Sequence, residues 1–146
     1  MTLPTTRERV AAHSLRTPIL WGLAFGVIQA TAPLAFWWLD ASTIYAISIA
    51  FIATVYIGFA VADGRPQVLA AEAAVATGFV VLAAAAVTAT PWLLVIGFAG
   101  HGSKDWWQER NQFVANTRWW PPFCAAIDFL AAAILAVLIV TGVHFH

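Results

Sequence analysis

Apolar runs of bilayer-crossing length constrain this chain more than any other feature. Residues 19–39, 44–62, 68–89 and 123–143 are predominantly apolar or small, and 91–112 begins the same way. A hydrocarbon core about 30 Å thick is crossed by about 20 helical residues. Short breaks separate the runs: Asp40-Ala41-Ser42-Thr43, Asp63-Gly64-Arg65-Pro66 and Thr90-Pro91. In the second of these, Gly64 suits a helix end and Pro66 a helix start. The composition agrees, with 62% hydrophobic residues, 10% charged residues and a mean hydropathy of +0.81. Soluble globular domains carry about a quarter charged residues. The expectation is an all-α integral membrane bundle: one domain over residues 1–146, with five transmembrane helices.

The first run invites two further expectations. Thr17 can cap it and Pro18 suits its first turn. Ala30-Thr31-Ala32 resembles a signal-peptidase site, but Pro33 follows and the apolar stretch continues to Leu39, so we read a retained helix kinked at Pro33. Gly22-x-x-x-Gly26 permits a close helix contact. Upstream, Thr5-x-x-Glu8 fits a capping box.

Charge sets the orientation. Five crossings with the N-terminus inside put Arg7, Arg9, Arg16, Arg65, Lys104, Arg110 and Arg118 on the inner side, and these are all 7 basic residues. The positive-inside rule then predicts a cytoplasmic N-terminus and an external C-terminus in a bacterial-type inner (plasma) membrane. Trp21, Trp106, Trp107, Trp119 and Trp120 fall near the inner boundary, and Trp37, Trp38 and Trp92 near the outer one. His144 and His146 fall outside, and His13 at the inner interface.

The fourth run is the exception. Pro91 to Gly100 is apolar but spans only about 15 Å. Its continuation, His101-Gly102-Ser103-Lys104-Asp105-Trp106-Trp107-Gln108-Glu109-Arg110, is polar. Polar side chains at membrane depth face a bundle interior or a wet cavity and mark functional sites. At 100° per residue, His101, Asp105, Gln108 and Gln112 form one stripe; Trp106, Trp107, Arg110, Phe113 and Val114 lie opposite. Glu72 and Asp128 each lie six residues beyond a helix-starting proline, about 9 Å from the inner boundary. Asp105 and Tyr56 reach a similar level. Three helices therefore deliver carboxylates to one layer.

His101 and Asp105, at i, i+4, suit an acid–base pair or two ligands of one metal. With Glu72 and Asp128 they form a His-plus-carboxylate set fit for Fe, Mn or Zn. The alternative is an ion-pair network that only braces helices, such as Asp105 with Arg110 or Asp128 with Arg118. Cys124, the single cysteine, offers neither a disulfide nor a thiolate cluster.

His101-Gly102-x-x-Asp105-x-Trp107-Gln108-x-Arg110, with Asn116-Thr117-Arg118-Trp119-Trp120-Pro121-Pro122-Phe123, resembles a family of small bacterial integral membrane proteins; that resemblance implies no particular activity. Gly100-His101-Gly102-x-x-Asp105 is also similar to an element of Brp/Blh-type membrane carotenoid-cleaving dioxygenases. Those enzymes hold iron with histidines on several helices, whereas here His101 is the one histidine within a span.

The leading functional expectation is an intramembrane enzyme acting on a lipid or isoprenoid-like substrate. His101, Asp105, Glu72 and Asp128 would do acid–base work, assisted by any divalent metal they hold. Tyr56, Trp106, Trp107, Arg110 and Arg118 would bind substrate, the arginines taking an anionic head group. Two other classes stay open: proton- or cation-coupled transport by a homo-oligomer, and an accessory subunit docking a membrane partner protein. The partner expected in every case is membrane lipid; no nucleic-acid-binding patch is present.

Overall fold

The computed structural model describes the backbone of residues 6–143 and 145, and side chains from residue 15 onward. The capping box at Thr5 and Glu8, the side chains of Arg7, Arg9 and His13, and both His144 and His146 lie outside the described residues. The chain is all-helical: α1 Thr6–Ala30, α2 Ala32–Ala35, α3 Ala41–Asp63, α4 Pro66–Thr88, α5 Trp92–Asn111 and α6 Trp120–Val140. By length and composition, α3, α4 and α6 are apolar enough to cross a membrane, which makes this a membrane protein. Helix α5 falls short of that measure because its second half carries Lys104, Asp105, Glu109 and Arg110.

The turns follow their chemistry. Gly64 ends α3 at φ 78°, and Pro66 opens α4. Such a left-handed terminus costs glycine little. The first helix departs from expectation: Pro18 lies buried inside α1 instead of starting it. The upstream Arg, Glu and Ala residues are strong helix formers and carry the helix past the proline, at the loss of one backbone hydrogen bond. The kink expected at Pro33 is a full break at Thr31. There the Thr31 hydroxyl donates back to the carbonyls of Val27 and Ile28, both at 3.0 Å. The Tyr45 hydroxyl donates to the Ala30 carbonyl at 2.6 Å, satisfying a group that the break would strand.

Helix α1 packs on α6, α6 on α5, α3 on α4, and α5 also touches α3 and α4. Glycine sets the closest approaches. A Cβ on Gly22 would sit 2.8 Å from the Ala126 Cβ, and one on Gly26 3.0 Å from Leu130 Cδ2, so the Gly22-x-x-x-Gly26 seam lies against α6.

Two apolar clusters hold the α3–α6 assembly. One gathers Tyr45, Ile49, Ala83, Leu94, Phe98 and Leu135. The other gathers Tyr56, Ala60, Val68 and Val114 around Phe59 and Trp120. Along α5 and α6, the polar residues lie between them.

Candidate functional site

Helix α5 turns His101, Gly102, Asp105 and Gln108 inward and leaves Trp106, Trp107 and Arg110 exposed. The stripe read from the sequence is therefore real as far as Gln108. It fails at Val114, which was expected on the outward side and is fully buried. Gln112 adopts a left-handed conformation (φ 47°), so α5 ends and the chain doubles back. Gln108 then clasps Val114 through both backbone groups: its amide donates to the Val114 carbonyl at 2.6 Å, and the Val114 N–H donates to Gln108 Oε1 at 3.3 Å.

The centre of the site is His101. Its Nδ1 lies 2.8 Å from Asp128 Oδ2 on α6 and 3.3 Å from Asp105 Oδ2 one turn along α5. All three side chains are at most 1% exposed. The close approach of α6 depends on Gly102, where a Cβ would come 3.1 Å from the Asp128 Cβ. The rings of Phe79 and Tyr56 flank the imidazole with centroids 5.2 and 6.1 Å away. Tyr56 also lies beside Asp105.

Glu72 belongs to a neighbouring pair. Lys104 Nζ meets Glu72 Oε2 at 2.8 Å and sits 3.4 Å over the Tyr56 ring. Ligand atoms of His101, Asp105 and Asp128 fall within 4.8 Å of one another, and Glu72 is not in that set. This corrects the four-residue metal set: a carboxylate already bound to a lysine is not free to ligate.

The arginine braces are likewise corrected. Asp128 pairs with His101, and Asp105 faces His101, not Arg110. Arg110 lies 5.4 Å from the Trp106 ring, on the exposed face. Arg118 is exposed and acts electrostatically on Glu109. Arg110 and Arg118 thus stand outside the buried centre.

Sequence reasoning gave Lys104 no site role, although the chain's only lysine within a polar half-span was a usable signal. It also missed the clamp beneath the site. Asp63 accepts from Arg65 through both carboxylate oxygens, and from the Ala115 N–H at 2.8 Å. Arg65 Nη2 also donates to the Phe113 carbonyl at 2.7 Å. The hydrogen bonds Arg65 donates to Asp63 raise it above its ordinary value, so the guanidinium stays charged at all physiological pH.

The site's chemistry follows from proton and charge counts. One Nδ1–H faces two buried carboxylates and can serve only one fully. Asp105 is faced by His101 Nδ1 at 3.3 Å and by the Tyr56 hydroxyl, neither closing a well-aligned hydrogen bond. Lys104 offsets Glu72, so a neutral His101 leaves Asp105 and Asp128 as two uncompensated negative charges. With ligand oxygens within 4.8 Å of each other, their repulsion is about 3 kcal/mol or more at an effective dielectric of about 20. Such a pair retains protons or takes up a cation.

Beside the site, Trp106 closes an apolar groove of about 570 Å³ with Ile19 and Leu23 of α1 and Pro122, Ala125 and Phe129 of α6. Phe129 follows Asp128 directly in α6. No family model, curated protein or solved structure matches this chain.

Proposed function

We propose that this protein is a five-crossing inner-membrane protein with a cytoplasmic N-terminus, and that its work is done by an acid–base centre of His101, Asp105 and Asp128 in the cytoplasmic half of the membrane. The observation that carries this reading is one imidazole nitrogen shared by two buried carboxylates from different helices. In this reading Asp128, the nearer partner, orients the ring. Asp105, faced by the longer His101 contact and the Tyr56 hydroxyl, is the base that accepts and returns a proton. The structural counterpart is a small rotation of His101 that moves Nδ1 between the two.

The substrate class we propose is a lipid or isoprenoid-like molecule. A centre about 9 Å inside the inner boundary lies in the hydrocarbon region, beside the part of a lipid chain nearest its head group. The Trp106 groove has the volume and apolar lining for part of a hydrocarbon chain. Lys104 is held by Glu72, so an anionic head group is left to the exposed arginines. Arg110 and Arg118 serve as the outer attraction for that group.

The test compares lipid and pigment profiles of membranes from cells carrying the wild type, Asp105→Asn or His101→Gln. Accumulation of one lipid-class precursor in both variants is expected. Profiles identical to wild type, with the variants present at normal levels, would sink the enzyme reading.

A further inference from the structure

The proton-deficient pair at the centre also defines a metal site. We infer that His101 Nδ1, Asp105 and Asp128 bind one divalent first-row cation, of the Zn, Mn or Fe class. The inference rests on the proposed cation-deficient centre and names the cation.

Three observations carry it. The first is donor type: one imidazole nitrogen and two carboxylates suit these metals and do not select for calcium, which prefers oxygen alone. The second is geometry. Two ligands each about 2.1 Å from a tetrahedral metal are about 3.4 Å apart. Asp105 Oδ2 already stands 3.3 Å from Nδ1; Asp128 Oδ2, at 2.8 Å, needs to withdraw by roughly half an ångström, and the two carboxylates, whose ligand atoms lie within 4.8 Å, close toward the same spacing on the ion. The third is the state of Asp105, fully buried and directed at the cluster: His101 Nδ1 at 3.3 Å and the adjacent Tyr56 hydroxyl face it, and neither closes a well-aligned hydrogen bond.

Charge closes the argument. With His101 neutral the pair carries two negative charges, which one divalent cation cancels. Metal on Nδ1 places the single ring proton of a neutral His101 on Nε2, and any further proton held by the ring or between the carboxylates is released. Helices α5 and α6 supply all three ligands, and Gly102 keeps those helices close enough for a single ion to reach both.

The experiment uses the full chain in lipid nanodiscs, stripped with chelator and reloaded with Zn²⁺ or Mn²⁺ alone. His13, His144 and His146 are replaced by alanine in the reference protein so that terminal histidines cannot bind metal. The expected result is about one equivalent of zinc, with proton release at neutral pH. The Mn²⁺ form should show nitrogen coupling from one imidazole by pulsed electron paramagnetic resonance. Asp105→Asn and Asp128→Asn should each weaken zinc binding at least tenfold, and His101→Gln should abolish the nitrogen coupling. Lys104→Gln, outside the ligand set, should keep the coupling and one-to-one stoichiometry.

Substoichiometric zinc, or stoichiometric metal without nitrogen coupling, overturns the inference. A parallel ¹⁵N titration of His101 in the stripped protein separates this failure from failure of the acid–base reading. No metal, with a His101 titration that moves in Asp128→Asn, removes the metal alone. No metal and a His101 signal indifferent to both aspartates removes both.

Discussion

Gly102 is the position where one added carbon should disturb the site with the least damage elsewhere. A Cβ there meets the Asp128 Cβ at 3.1 Å and the Phe129 ring at 3.4 Å. Gly102→Ala gains about 1 kcal/mol of helix propensity, which offsets the crowding. Its expected signature is near-normal stability with a changed His101 ¹⁵N shift, as α6 yields by tenths of an ångström and the bond to Asp128 lengthens. Gly102→Leu exceeds what the seam can absorb and should cost about 1–3 kcal/mol. An unmoved His101 signal in Gly102→Ala would show that this contact does not set the distance. The His101–Asp105 face was legible in the sequence because i, i+4 spacing alone puts both on one stripe. The choice of Asp128 over Glu72 as third member was not, since both lie at similar depth. The deciding facts are the close α5–α6 approach at Gly102 and the capture of Glu72 by Lys104, which depend on helix packing and not on periodicity.

Among the elements, the least foreseeable is the strap between α5 and α6. Phe113 and Val114 continue the outward stripe of α5 by angle, so a helical reading extends through them. The helix stops because Gln112 turns left-handed and because partners distant in sequence hold the strap: Asp63 on Ala115, Arg65 on Phe113 and Gln108 on Val114. Val114 packs with Tyr56, Ala60 and Val68, and so covers the Tyr56 end of the site. Gln108→Ala should leave both polar backbone groups of Val114 unpaired, a loss of about 1–3 kcal/mol. Chemical unfolding in micelles measures that loss, and hydrogen exchange should rise at residues 113–115 before any other inward-facing segment. Exchange that rises equally across α5 and α6 would mean that Gln108 supports the bundle generally instead of holding the strap. The break at residues 64–66, by contrast, was readable from Gly64 and Pro66, whose effects are local, whereas at Pro33 a kink was expected and the helix breaks at Thr31. Helix α1 was misread at Pro18 because the strength of the residues before a proline decides whether it starts a helix or interrupts one.

At the scale of the whole molecule, hydropathy identifies α3, α4 and α6 and passes over α5, although α5 touches all three. The reason is physical: a helix sheltered by neighbours need not be apolar where it faces them. His101, Asp105 and Gln108 turn toward α6, the strap and the α3–α4 pair, leaving Trp106 and Trp107 on the outward face. A polar half facing its neighbours does not bar α5 from crossing, and the five crossings proposed would carry every basic residue to one side. Cysteine accessibility tests this arrangement directly. In a Cys124→Ser background, single cysteines at Asp40, Gly64, Thr90, Thr117 and Gly142 are probed in intact cells with a membrane-impermeant maleimide. Asp40→Cys, Thr90→Cys and Gly142→Cys should label from outside; Gly64→Cys and Thr117→Cys should label only after the membrane is opened. Labelling of Thr117→Cys from outside would mean that α5 does not cross from Thr90. It would also move the Arg118 side of the strap, and the head-group contacts proposed for it, to the opposite face of the membrane. The buried His101–Asp105–Asp128 contacts would remain, but their depth relative to a lipid head group would have to be assigned anew, because that depth is measured from the strap.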